Sequence, residues 1–125
     1  MSTLVAQTLS NGTVSTSTAN CIQGSAKAWV KFDASGTRSA SFNVSSVTKF
    51  STGNWTINFT TALPSSNYVV VGMNDGLGGA SSYNSAGGGN FGSGSESTTA
   101  FSVATVSSSG VGTDPSRNYY VVFSS

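Results

Sequence analysis

In residues 52–72, "TGNWTINFTTALPSSNYVVVG", apolar and polar positions alternate and then cease to alternate. Trp55, Ile57 and Phe59 are separated by Thr56 and Asn58. That period of two sends one side of a strand into a core and the other toward water. Pro64 ends this strand, because proline has no amide hydrogen for a ladder. After the turn residues "LPSSN", Tyr68, Val69, Val70 and Val71 run without a break. Such a run predicts burial on both faces and hence a central place in a sheet.

The same pattern recurs on both sides of this stretch. "AKAWVKFD", residues 26–33, alternates Ala28, Val30 and Phe32 with Lys27, Trp29 and Lys31. "SASFNVSSVTKF", residues 39–50, starts with Phe42 and Val44 in step, but Val47 falls out of step. A β-bulge at Ser45–Ser46 would return Val47 to the same face. "STGN" is a hairpin loop in which Gly53 supplies a positive φ. Near the C-terminus, "STTAFSVATVSS" alternates Phe101 with Val103, and "RNYYVVFSS" alternates Tyr119, Val121 and Phe123. No window places apolar residues at helical spacing. Six strands at this spacing predict an all-β chain, an antiparallel β-sandwich (small, jelly-roll-like or Ig-like) or a small barrel.

Two segments break the pattern. Residues 1–24 are polar, Thr-rich and weakly patterned, with Leu4, Val5, Leu9 and Val14 as the sizeable apolar groups before Ile22. They read as an edge strand or two, an extended anchor arm, or a frayed terminus. Residues 25–125 form the single domain that a chain of 125 residues predicts. Within it, residues 72–95 hold most of the 15 glycines and form a long Gly-rich loop. Asn74, Asp75, Tyr83, Asn84, Asn90 and Phe91 lie along it. Aromatic anchors among Ser, Gly and Asn are the mixture that binding loops use, and these six are the candidate receptor-binding residues. The competing reading is that the glycines let the backbones of neighbouring subunits approach closely.

Composition narrows the function. Five basic and four acidic residues leave a net charge of +1, with Lys27, Lys31, Arg38, Lys49 and Arg117 scattered. Nucleic-acid binding needs clustered cations and is not expected. Little charge keeps copies apart, which suits a protein made to associate. Cys21 is the single cysteine, so no internal disulfide framework and no thiolate zinc cluster is expected. Without histidine there is no Ser-His-Asp triad and no imidazole ligand. Asp33 and Asp114 stand in turns, where Asp caps backbone amides. Asp75 and Glu96 flank the Gly-rich loop and are the one carboxylate pair whose meeting the loop allows. The glycines contain no phosphate-cradling motif. The expectation is a non-enzymatic protein without metal or cofactor. The N-terminus lacks a secretory signal and no stretch is long enough to span a membrane, so cytosolic synthesis without membrane insertion is expected. The Asn-x-Ser/Thr sequons at Asn11, Asn43, Asn54 and Asn58 are what chance gives in so Ser/Thr-rich a chain.

"GSAKAWVKFDASGT", "SFNVSSVT" and "WTINFTTALPSSNYVVVG", in that order over residues 24–72, resemble the pattern of phage tail-fibre and related virion appendage proteins. Residues 98–125 match that pattern only in character. The resemblance implies a homotrimeric β-sandwich head on a tailed-bacteriophage virion, assembled in the host cytoplasm. Its function would be host attachment through a receptor or glycan. Such heads often end a long fibre, whereas about two dozen residues precede this one. The expectation is therefore a short fibre or knob whose N-terminal arm docks it to other virion proteins. The alternative is a capsid decoration or cement protein that stabilises the phage head.

Overall fold

The computed structural model describes residues 1–75, 81–84, 96–107 and 109–124, the backbone alone for 81–84. The described residues are all-β, with antiparallel sheets and one short helix among them. In chain order the elements are β1 (Thr8–Ser10), β2 (Ser15–Ser17), α1 (Thr18–Gly24), β3 (Ala26–Phe32), β4 (Arg38–Phe42) and β5 (Val44–Ser51). There follow β6 (Asn54–Phe59), β7 (Tyr68–Asp75), β8 (Ser81–Asn84), β9 (Ala100–Val106) and β10 (Arg117–Ser124). One four-stranded sheet has the order β4-β3-β10-β7; a second has β5-β6-β9-β8; β1 and β2 pair only with each other.

The alternating strands behave as their periods predict. Ala28, Val30 and Phe32 of β3, Trp55, Ile57 and Phe59 of β6, and Phe101 and Val103 of β9 are all buried in one core cluster. The two four-stranded sheets share that cluster. Phe32 of the first sheet meets Trp55 of the second edge-on at 5.6 Å, and Phe101 of the second meets Tyr120 of the first at 6.3 Å. These edge-to-face contacts add stabilisation beyond the area they bury.

Four expectations are corrected. Residues 39–50 are two strands in different sheets, not one, and the break is at Asn43 (φ 54°). Asparagine tolerates this left-handed conformation. Here its side chain also fixes the corner, accepting from Thr61 N at 2.8 Å and donating to Lys27 O at 3.1 Å. The bulge is present: β5–β6 pairing slips between Val44 and Ser46. It turns Val47 onto the core while Phe42, in the other sheet, stays 54 % exposed. Second, β7 is an edge strand rather than a central one. Its valine run has an inner member, Val70, and two outer ones, Val69 and Val71, both exposed. Third, the deeply buried set of β10 is Asn118, Tyr120, Val122 and Ser124, while the alternating Tyr119, Val121 and Phe123 lie half-buried on the opposite face.

The fourth correction is α1, which hydrophobic periodicity does not announce. Its start is a local cap: Ser17 Oγ accepts from Asn20 N at 3.2 Å. The helix has no buried residue, and Leu4, Val5, Leu9, Val14 and Ile22 are all exposed. Cys21 is free and half-buried.

Candidate functional site

Asn74 and Asp75 close β7, while Tyr83 and Asn84 close β8. These two strands are the outer edges of different sheets, and they lie against each other. Four of the six candidate recognition residues therefore come from one side of the molecule. Asn90 and Phe91 lie outside the described residues. The span expected as one loop, 72–95, is strand at 72–75 and again at 81–84. Backbone pairing to β10 and β9 overrides the glycine-rich composition: Gly72 pairs with Tyr120, and Tyr83 with Ala104.

The two β7 residues point opposite ways. Asn74 shares the inner face with Asn118, its partner across the ladder. Asn74 Nδ2 is a buried donor and Asn118 Oδ1 a buried acceptor, both without a hydrogen-bond partner. Asp75 faces outward, accepting from Ser116 Oγ at 3.0 Å and pairing with Arg117 Nε at 3.5 Å. That exposed ion pair contributes at most about 1 kcal/mol.

Asp33 and Asp114 serve the backbone. Asp33 Oδ1 accepts from the Ser35 hydroxyl at 2.6 Å and from Ser35 N and Thr37 N, both at 2.9 Å. The Ser35 hydroxyl and these amides hold the Asp33 carboxyl below its ordinary range. Asp114 accepts from Gly53 N at 2.8 Å and from Lys49 Nζ at 2.5 Å. Asp75 and Glu96 do not meet. Glu96 lies near Tyr68, at the opposite end of β7 from Asp75. Seven residues of strand separate Tyr68 from Asp75, about 23 Å, far beyond the carboxylate spacing of a glycosidase. Burial, with Glu96 adding to it, pushes the Tyr68 phenol up to about 12. Its hydroxyl donates to Ser97 O at 3.1 Å and Ala100 O at 3.0 Å.

No group of three His, Cys, Asp or Glu among the described residues is placed to hold a metal. No described helix is long and apolar enough to cross a membrane.

The two sheets present different outer faces. On the second, Thr56 Oγ1 and Ser102 Oγ bond at 3.0 Å, and Asn58 Nδ2 donates to Ser46 Oγ at 2.9 Å. On the first, the outward positions of β7 are Val69, Val71 and Met73, and those of β10 are Tyr119, Val121 and Phe123. The signal for this face was present in the sequence, in "YVVVGM" and "NYYVVF", where both strand parities are apolar. In "YVVVGM" that run predicts burial on both faces, whereas in "NYYVVF" it reads as the alternation of Tyr119, Val121 and Phe123.

Comparison with protein-family models, with curated proteins and with solved structures returned no match.

Proposed function

We propose that this chain is a non-enzymatic virion structural protein of a tailed bacteriophage: a β-sandwich, jelly-roll-like or Ig-like, acting as a homotrimeric short fibre or knob in host attachment. Residues 1–24 dock it to other virion proteins, and the 72–95 segment meets the receptor or a glycan of the host surface. One observation carries the attachment reading. The described parts of that segment, 72–75 and 81–84, belong to the edge strands β7 and β8, which lie side by side. Recognition residues held by a rigid scaffold are the usual arrangement of a binding surface. Tyr83 and Phe91 supply the aromatic anchors, and Asn84 and Asn90 the adaptable hydrogen bonding. With the described Asp side chains committed to backbone or ion-pair contacts, a neutral ligand such as a glycan suits the segment better than a charged one.

The second reading, a capsid decoration or cement protein, is favoured by the N-terminal arm. Its 1–24 sequence carries no charged side chain, yet leaves Leu4, Val5, Leu9, Val14 and Ile22 exposed. Such an arm suits bedding into a shell. Particles lacking the protein separate the readings. Intact heads that fail to adsorb support attachment, and heads that break under osmotic shock or heat support the cement role. Tyr83→Ala and Phe91→Ala test the segment: adsorption falls with thermal stability nearly unchanged if it is the recognition surface. Normal adsorption with a lowered melting temperature would make it structural.

A further inference from the structure

We infer that the outer face of the first sheet is a contact surface for further copies of this chain. Its centre is one apolar row crossing all four strands. Phe42 pairs with Trp29, Trp29 with Val121, and Val121 with Val71. Val69 and Met73 extend it along β7. In the single chain these side chains stand open: Trp29 is 39 % exposed, Phe42 54 %, Val71 57 %, Val69 63 % and Met73 69 %.

Internal contrast shows that this exposure is not simply the chain's way of meeting water. On the outer face of the second sheet, Thr56 bonds Ser102, and Asn58 donates to Ser46 and Thr48. An antiparallel sheet with one solvated face alternates apolar inward and polar outward. The paired centre of β5, β6 and β9 follows this rule, although Phe50 of β5 is 78 % exposed and Ala104 and Val106 alternate with the core residues of β9; the first sheet carries apolar groups on both faces across all four strands.

Lys27 and Lys31 share the outward side of β3 with Trp29, so charges flank the apolar row on this face. The Lys31 ammonium lies 5.6 Å from the centre of the Tyr119 ring. Lys27 bonds the Ile22 carbonyl and, at 2.9 Å, Ser25 Oγ at the end of the sheet. Arg117 and Asp75 pair with each other at the opposite end.

Size and charge identify the occupant as another copy. A face of four strands, each about seven residues long, measures roughly 19 by 23 Å in projection. A soluble monomer's largest apolar patch is about 300–600 Å². In projection the face is roughly 440 Å², within that range and below the ~800 Å² per partner of a standard interface, the size of a weak, concentration-dependent self-contact. A flat, uncharged apolar row needs no complementary charge opposite it, and a net charge of +1 sets little repulsion against self-association. The inference rests on the reading of this chain as an assembling protein, not on host attachment.

The test is the mass of the purified full-length chain at micromolar concentration, by light scattering after size exclusion. Wild type is expected at a multiple of 12.6 kDa, and Val71→Glu at 12.6 kDa with unchanged far-ultraviolet circular dichroism. The Val69→Thr, Val71→Thr double variant keeps the β-branched shape and is expected to weaken the assembly at least tenfold. It decides the matter if Val71→Glu does not fold. Thr48→Glu, on the polar face, leaves the mass as in wild type. A monomeric wild type overturns both self-association and this surface. An oligomer that survives both β7 variants overturns the surface alone. Loss of adsorption without any change in mass would bear on attachment and not on this face.

Discussion

Gly53 shows how narrowly single positions are fixed. Its φ is +76°, and an added Cβ would sit 2.4 Å from Thr105 O and 2.8 Å from Thr113 N, both backbone atoms that cannot swing aside. Gly53→Ala is expected to cost about 2–3 kcal/mol in a urea melt, from backbone strain together with that clash. The sequence showed the need for a positive φ here, because "STGN" lies between two alternating runs. It could not show the clash, which comes from Thr105 of β9 and Thr113 in the connection beyond it, both distant in sequence. Tyr68 gives a pH signature. Its folded-state pKa of about 12 lies above the ordinary 10, so the folded form holds its proton where the unfolded chain loses it. The stabilisation is therefore complete below pH 10 and lost as pH rises from 10 to 12. Tyr68→Phe should remove this alkaline loss. At neutral pH it should cost about 1–2 kcal/mol, since Ser97 O loses the Tyr68 hydroxyl and Ala100 O keeps only the Ser97 donors. Chemical denaturation at pH 8 and pH 11 reads both effects.

At the scale of elements, β6 is the strand on which the core depends. Trp55 is 1 % exposed and meets Phe32; Phe59 is 7 % exposed and meets Tyr68 and Phe101 at 5.9 and 5.7 Å. Trp55→Ala or Phe59→Ala is expected to cost about 3–5 kcal/mol in a denaturant melt, the range for emptying a large aromatic site. A loss below about 1 kcal/mol would mean that this face of β6 does not pack the core. The arm lies at the other extreme. β1, β2 and α1 contain no buried residue, and an isolated two-stranded hairpin is marginal in water. A chain starting at Gly24 should therefore unfold within about 1 kcal/mol of the full one. Elements with one dry and one wet face were legible in sequence, as in β3, β6 and β9. Those set by long-range pairing were not. The corner at Asn43 depends on Thr61 and Lys27, α1 depends on a cap, and an edge place for β7 cannot be told from a central one when both parities are apolar. The same ambiguity hid the candidate contact surface. For the candidate recognition residues, the alternation could not show that Asn74 turns inward beside Asn118.

For the molecule as a whole, the asymmetry between its two outer faces organises the account. One face carries the bonded hydroxyls and amides of Thr56, Ser102, Asn58 and Ser46; the other leaves valine, tryptophan and methionine open in the single chain. The central claim is that copies of this chain cover it. Oxidation of Met73 by dilute peroxide tests it most directly, because its thioether is 69 % exposed in the single chain and lies on that face. Peptide mass spectrometry would follow the rate at micromolar concentration. The account predicts that Met73 in wild type oxidises several-fold more slowly than in Val71→Glu, and that dilution raises the wild-type rate to that of the variant. Equal rates in the two proteins at every concentration would contradict it.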